Sequence, residues 1–215
     1  MNELISLKAK DGNVFEVYMV KSKSKEKGYL IVLQEIFGVN EHIKEVTENF
    51  ARNGWTAMAP FLFDRAKKNV QLGYSEQDIQ EGLNLKKNCE KNSLLDIEAC
   101  FNYLKNHGRV GVVGYCWGGS LSWKAACNID GLFASVAYYG GEIPKLVNLN
   151  PKCPVLTHFG KKDHGIPVKD VFKFEEKQKD VKVFYYNADH GFNCNYRNQY
   201  DKESANLALD RTLSF

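Results

Sequence analysis

The sequence has no apolar run of the roughly 18 residues that a helix needs to span a bilayer. Its opening segment, "MNELISLKAKDG", also lacks the basic stretch followed by an apolar stretch that marks a secretion signal. A net charge of +3 over 215 residues is too small to indicate a nucleic-acid partner. We therefore expect a cytoplasmic protein that contacts neither membranes nor nucleic acids.

The sequence also lacks internal repeats, low-complexity tracts, linker-like segments and any Cys-x-x-Cys pair. A chain of this length without a linker predicts a single domain over residues 1–215. The lysine-rich stretch at residues 21–28 predicts a solvated turn between two strands. Six scattered cysteines predict free thiols in a reducing compartment rather than disulfides: Cys89, Cys100, Cys116, Cys127, Cys153 and Cys194.

The order of the predicted elements indicates the fold class. Two alternating stretches, "LISLKA" and "NVFEVYMV", flank Asp11-Gly12 and predict an antiparallel hairpin. Apolar strand patterns then alternate with helical ones, with helices expected over residues 41–53, after a cap at Ser93, and after Cys116; residues 61–92 predict a loop with one helix. This alternation predicts an α/β fold with a mostly parallel, doubly wound sheet and an antiparallel N-terminal edge. The remaining strand patterns are "YLIVLQ", "WTAMAP", "RVGVVGY", "LFASVAYYG", "PVLTHFG" and "VKVFYYN".

The stretch "GVVGYCWGGS" places Cys116 in a turn between a strand and a helix. Gly114 and Gly118 relieve crowding where a side chain must stand on a sharp bend. The helix N-terminus favours negative charge on the thiol, and the N–H of Trp117 could stabilise an oxyanion after attack on an acyl carbon. An ordinary buried cysteine at a packing turn explains the same pattern, so the turn alone does not decide. Its glycine spacing fits neither a dinucleotide-binding nor a P-loop motif.

A nucleophile of this kind needs a base and an orienting acid, each at the carboxyl end of a later strand. Asp163 follows "PVLTHFG" and His190 follows "VKVFYYN", so the order Cys116, Asp163, His190 fits. His164 as base would leave the acid position empty, and Asp189 as acid would have to fold back onto the neighbouring histidine.

The other histidines have structural interpretations. His158 lies inside a strand pattern and is expected in the core, while His42 and His107 lie near helix ends and are expected at the surface. A metal site built from residues 158, 163, 164 and 190 matches no standard ligand spacing, so we expect no metal and no other cofactor.

Glu35 is placed at the carboxyl end of "YLIVLQ", on the edge where such sheets present their sites. It is either a solvated loop carboxylate or a group facing Cys116, whose negative charge would oppose thiolate formation. In the second case the N–H of Ile36 would complete an oxyanion hole.

Four motifs in this order, "QEIFGVN", "GYCWGG", "GKKDHGIP" and "ADHGFN", resemble the dienelactone hydrolase (carboxymethylenebutenolidase) family, and the similarity runs nearly to the closing "DRTLSF". The resemblance implies an α/β-hydrolase fold with a cysteine nucleophile. It implies the following roles: Cys116 as nucleophile, His190 as base, Asp163 as its orienting acid, Glu35 as the carboxylate that switches the cysteine, Ile36 and Trp117 as oxyanion donors, and Tyr139 as a pocket-lining residue.

The sequence departs from the family where the substrate carboxylate is held. Members that cleave dienelactone use arginines, one of them four residues after the histidine, where this chain has Cys194. Residues 66–92, which supply the other, contain lysines and no arginine. Arg197 is the candidate to substitute. The resemblance therefore supports hydrolase chemistry in this chain more strongly than it supports dienelactone as the substrate.

We expect a thiol hydrolase for a small lactone or activated ester, acting as a monomer or weak homo-oligomer without a cofactor. Two other interpretations stay open at this point. One is a catalytically silent binding or regulatory protein on the same fold. The other is a redox-responsive protein in which Cys116 is reversibly oxidised.

Overall fold

A computed structural model of the chain describes residues 2–24 and 26–215. Lys25, within the predicted turn at residues 21–28, lies outside the described residues, as does Met1. The described residues form an eight-stranded sheet in the order β1-β2-β4-β3-β5-β6-β7-β8. The strands are β1 (Asn2–Lys8), β2 (Val14–Val20), β3 (Gly28–Leu33), β4 (Trp55–Pro60), β5 (Val110–Tyr115), β6 (Ala134–Tyr138), β7 (Val155–Gly160) and β8 (Lys182–Tyr186).

Among the described residues, six α-helices cover the two faces of this sheet, and two short 3-10 helices lie at Leu62–Arg65 and Ile143–Leu146. Within the described ranges, no helix has both the length and the apolar character to cross a membrane. The helices are α1 (Glu41–Arg52), α2 (Glu76–Cys89), α3 (Ser93–Leu104), α4 (Trp117–Asn128), α5 (Val168–Lys177) and α6 (Lys202–Ser214).

The predicted hairpin and its position at the sheet edge are confirmed. Strand β1 pairs with β2 in antiparallel register, from Asn2 opposite Val20 to Lys8 opposite Val14, and Gly12 adopts a positive φ of 90° in the turn. Strand β2 then pairs antiparallel with β4, whereas the other strand pairs are parallel. The doubly wound α/β prediction is therefore correct.

Some element boundaries differ from the predicted ones for local reasons. Ser93 is the first residue of α3 rather than its cap, because its hydroxyl donates to the carbonyl of Cys89 at the end of α2. In the region predicted as a loop with one helix, Ser75 and Asp78 form a reciprocal capping box that begins α2. A 3-10 turn at Leu62–Arg65 precedes it.

The sheet topology brings two segments of the candidate site together. The chain runs from β3 outward to β4, then returns to β5 on the other side of β3, and such a switch point opens a crevice at the carboxyl ends of the strands. Leu33 is paired with Gly114 across β3 and β5. Glu35 and Cys116 each follow their partner by two residues, so both lie just beyond the ends of adjacent strands.

Candidate active site

The turn at Cys116 is strained. Cys116 has φ 54° and ψ −112°, a backbone conformation that non-glycine residues adopt at a cost of about 1–3 kcal/mol. Its N–H donates to the carbonyl of Tyr138 (3.0 Å), and its carbonyl accepts from the N–H of Ser120. The half-buried thiol therefore stands at the N-terminus of α4, where the helix dipole favours negative charge.

The two glycines that flank this turn are required by close backbone approach. A Cβ on Gly114 would collide with the carbonyl of Gly118, and a Cβ on Gly118 would collide with the carbonyl of Leu33. The predicted reason for these glycines is therefore correct, and it allows α4 to pack directly against the ends of β3 and β5.

Asp163 and His190 meet at the carboxyl ends of β7 and β8. Nδ1 of His190 lies 2.6 Å from Oδ2 of Asp163, and Oδ1 of Asp163 accepts from the N–H groups of Gly165 (2.8 Å) and Ile166 (3.1 Å). Because these bonds fix the buried carboxylate, the imidazole is held in one orientation.

The His190 ring also interacts with Cys116. Burial lowers the pKa of His190, but the charge and hydrogen bond of the Cys116 thiol, together with Asp163, outweigh burial and raise that pKa to about 10. The raised pKa favours the imidazolium form of His190 beside the Cys116 thiol. The structure thus brings together the three residues that the sequence selected.

The alternative acid and base do not occupy these positions. His164 is exposed on the loop after β7. Asp189 accepts a hydrogen bond from the backbone N–H of His190 (2.6 Å) and does not bond to the ring.

The predicted locations of the remaining histidines are correct for two residues and wrong for one. His158 is a core residue, as predicted, and its two ring nitrogens contact the hydroxyls of Tyr186 (2.8 Å) and Thr212 (3.0 Å). His107 is exposed, as predicted. The surface prediction for His42 is wrong, because its ring is only 2% exposed and packs edge-on against Tyr115.

Glu35 is not a solvated loop carboxylate, because it is only 1% exposed. Its nearest charge is Nη1 of Arg197, 3.6 Å from its Oε1, and that guanidinium also lies 5.8 Å from the centroid of the Phe37 ring. Neither carboxylate oxygen of Glu35 has a hydrogen-bond partner among residues 2–24 and 26–215. The carboxylate is held by charge rather than by hydrogen bonds.

The backbone donors predicted for an oxyanion hole lie on adjoining segments. The N–H of Gly118 donates to the carbonyl of Gln34 (3.0 Å), which links the start of α4 to the segment after β3. The N–H groups of Ile36 and Trp117 donate to no group in the described part of the chain. The Trp117 ring is fixed by stacking on Phe63, with ring centroids 5.2 Å apart.

Two further residues predicted for the site, Tyr139 and Arg197, lie beside the His190 ring and Glu35, respectively. Tyr139 has a positive φ of 39° and is fully buried, with its ring centroid 5.0 Å from that of His190. Cys194 is also buried, and its thiol donates to the hydroxyl of Tyr74 (3.2 Å). Arg197, three residues after Cys194, contacts the Glu35 carboxylate, with Nη1 3.6 Å from Oε1; its role as the group that meets a substrate carboxylate stays a prediction.

Sequence reasoning missed His42 and Tyr74 as neighbours of Glu35. His42 belongs to the first turn of α1, and Tyr74 lies just before α2. The only available signal for His42 was its distance of seven residues from Glu35 along the chain, since α1 follows β3 after a short connection. No sequence signal indicated Tyr74.

A mostly parallel sheet covered by helices, with a strained turn after a central strand and an acid and a histidine at later strand ends, defines an α/β-hydrolase. The model of the dienelactone hydrolase family matches residues 15–215, and the chain belongs to that family.

Individual relatives agree with this assignment. A protein of Synechocystis sp., provisionally named a carboxymethylenebutenolidase, is 33% identical over 197 residues, which cover 82% of this chain and 80% of the relative. Carboxymethylenebutenolidase 1 of Cupriavidus pinatubonensis is 26% identical, with 99% and 95% covered. The crystal structure of a protein from Klebsiella pneumoniae, provisionally named a dienelactone hydrolase, superposes with a TM-score of 0.80 at 28% identity, with 99% and 98% covered.

Proposed function

We propose that this dienelactone hydrolase-like enzyme cleaves a small lactone or activated carboxylic ester through a cysteine acyl-enzyme. The observation that carries the proposal is the contact of His190 with both Asp163 and the Cys116 thiol. A thiolate beside an imidazolium is the form in which a cysteine attacks an acyl carbon, because the thiolate is the nucleophile.

The reaction proceeds in two steps. The Cys116 thiolate adds to the carbonyl carbon, and the resulting oxyanion accepts hydrogen bonds from the N–H groups of Ile36 and Trp117. The tetrahedral intermediate collapses to a thioester, and the His190 imidazolium gives its proton to the departing alkoxide. Water, deprotonated by His190, then attacks the thioester and releases the carboxylic acid, and the proton returns to the Cys116–His190 pair.

Asp163 and Glu35 act on the charges of this pair. Asp163 orients the His190 ring and stabilises its protonated form. We assign Glu35 the role of the switching carboxylate, since a negative charge near Cys116 opposes thiolate formation. The guanidinium of Arg197, 3.6 Å from Glu35, offsets that charge.

The ion pairs of the region without arginine bear on the substrate class. Three of the five lysines at residues 66–92 are paired, because Lys67, Lys68 and Lys86 contact Glu81, Asp64 and Glu142, respectively. This occupancy supports a substrate other than dienelactone itself, with Arg197 as the group that would meet a substrate carboxylate and Tyr139 lining the pocket.

Location and assembly belong to the same proposal. All six cysteines are free thiols, which supports a reducing cytoplasmic setting. A single domain over residues 1–215, acting as a monomer or weak homo-oligomer, stays a prediction.

Hydrolysis of a panel of aryl esters and enol-lactones by Cys116→Ala tests the mechanism. We expect kcat/KM to fall by about a thousandfold or more, since the nucleophile is removed. Cys127→Ala, which removes a thiol at the far end of α4, is the matched control and should retain activity. Full esterase activity of Cys116→Ala would refute the proposal, as would failure of the intact protein to turn over any ester while still binding one.

A further inference from the structure

A second group of reactive side chains lies on the α1 side of the candidate active site. Glu35 follows β3, His42 lies in the first turn of α1, and Cys194 lies in the loop after β8. One carboxylate oxygen, one imidazole nitrogen and the thiol sulfur of these residues all lie within 4.8 Å of one another, and the three side chains are buried.

Two of these side chains lack the hydrogen bonds that buried polar groups normally make. Nε2 of His42 and both carboxylate oxygens of Glu35 have no partner in the described ranges, although the residues are only 2% and 1% exposed. A buried polar atom without a partner costs about 1–3 kcal/mol, so native proteins usually provide one. Because both carboxylate oxygens of Glu35 are orphaned, the oxygen that enters the cluster is an orphaned atom.

We propose that Glu35, His42 and Cys194 form a binding site for a thiophilic divalent metal ion, best represented by Zn²⁺. Thiolate, imidazole and carboxylate are its usual ligands, and three protein ligands leave a fourth tetrahedral position for water. Bond lengths of about 2.0–2.3 Å place atoms that share one Zn²⁺ about 3.3–3.8 Å apart, so the cluster closes on an ion with side-chain movements of about 1 Å.

Neighbouring groups already support two of the three ligands, His42 and Cys194. Burial lowers the pKa of His42, which favours the neutral ring that a metal ligand needs, while the charge of Glu35 and a hydrogen bond with the Asn195 side chain act in the opposite direction. The Tyr74 hydroxyl lies 3.2 Å from the sulfur of Cys194. When the metal binds, the Cys194 thiol releases its proton to solvent, and Tyr74 can donate to the thiolate.

A cavity that reaches His42 and a cation that competes for Glu35 lie beside the proposed site. A cavity of about 310 Å³ between α1 and the loop at residues 193–200 is lined by His42 and by polar side chains that include Glu45 and Asn193. Arg197 competes with the ion for Glu35, because its guanidinium lies 3.6 Å from that carboxylate. The site should therefore bind Zn²⁺ reversibly rather than act as a permanent structural site.

Cobalt titration of metal-stripped protein tests the site, because a Co²⁺–thiolate bond produces a charge-transfer absorption band. The titration is done in a Cys116→Ser background, since Cys116 and His190 are a second thiol–imidazole pair. We expect one Co²⁺ per chain with a thiolate band, displaced by Zn²⁺. Adding Cys194→Ser should abolish the band, and adding His42→Gln should weaken binding about 10–100-fold. Cys127→Ser is the matched control and should leave binding unchanged.

Alkylation followed by mass spectrometry provides a readout that needs no ligand variant. In the Cys116→Ser protein, Zn²⁺ should slow modification of Cys194 by at least tenfold and leave modification of Cys127 unchanged. Absence of a thiolate band and of Cys194 protection would overturn the proposal, as would a band that survives Cys194→Ser. These readouts do not involve ester turnover, so they test the metal site separately from the proposed hydrolase function. Either proposal can be refuted while the other holds.

Discussion

The Arg197 guanidinium lies 3.6 Å from the Glu35 carboxylate, and the two side chains are 15% and 1% exposed. The distance is too long for a hydrogen bond, so the contact is ionic. Burial lowers the pKa of Arg197, but the charge of Glu35, together with those of Cys116, Tyr139 and Cys194, outweighs burial and raises it. A charge buried to this extent depends strongly on its partner, since loss of one member leaves the other uncompensated.

Arg197→Met should therefore destabilise the protein by about 3 kcal/mol, because it leaves the Glu35 carboxylate buried without a counter-charge. The double variant with Glu35→Gln should recover most of that loss. Urea unfolding of the two single variants and the double variant measures the coupling. Simple additivity of the two single effects would show that the pair does not stabilise the fold through its charges.

The protonation state of His190 is a second measurable property. Because its pKa is raised from 6.5 to about 10, the ring should stay an imidazolium throughout the neutral range, and it should lose its proton only as the pH approaches 10. The charge on Cys116 contributes to that rise. In Cys116→Ala, burial still lowers the pKa while the thiol no longer raises it, so deprotonation should move to lower pH.

NMR titration of the histidine ring nuclei measures both values. The signal of the exposed His107 serves as the internal reference in the two proteins. A His190 midpoint near 6.5 in the wild-type protein, or the same midpoint in Cys116→Ala, would contradict the ion-pair interpretation.

The backbone contacts of the Cys116 turn predict that alanine substitutions at two glycines, Gly114 and Gly141, differ in their effect on stability. Gly114→Ala places a methyl group against the carbonyl of Gly118, and we expect a loss of about 3 kcal/mol or failure to fold. At Gly141 the nearest atom to a new Cβ is 3.9 Å away, on the Ile166 side chain, so Gly141→Ala should be tolerated. Thermal unfolding of the two variants compares them. Equal stability would mean that the close approach of α4 to β5 is not required.

The sequence predicts this fold well because the strands carry unambiguous signals. The predicted strand "WTAMAP" matches β4 without error, since Gly54 and the apolar run set both ends. Ser93 was misassigned because its hydroxyl finds a carbonyl, Cys89, that belongs to a helix whose end could not be located from the sequence.

In the candidate site, too, the features set by local sequence were predictable and those set by tertiary packing were not. Cys116, Asp163 and His190 could be selected as a candidate triad because each follows a strand, and parallel strands bring their carboxyl ends to one edge. The burial of His42 and Glu35 was not predictable. It arises from the packing of the first turn of α1 over that edge and from the return of Arg197, whose contact with Glu35 joins residues far apart in the chain.

The burial of His158 predicts that the free energy of unfolding falls in acid, independently of catalysis. Burial, with a smaller effect of the Arg211 charge, lowers the pKa of His158 from 6.5 to about 3. Between these values the unfolded chain binds a proton that the folded protein does not, so the free energy of unfolding should fall as the pH drops from 6.5 toward 3, by up to about 1.4 kcal/mol per pH unit.

Substitution by glutamine isolates this contribution. His158→Gln keeps polar atoms facing Tyr186 and Thr212 but has no group that titrates, so its stability should decline less steeply below pH 6.5 than that of the wild-type protein. Urea unfolding at pH 7.5, 6 and 5 measures the two slopes, with His107→Gln as the control at an exposed histidine. Parallel pH profiles for His158→Gln and the wild type would show that His158 does not remain neutral in the folded core.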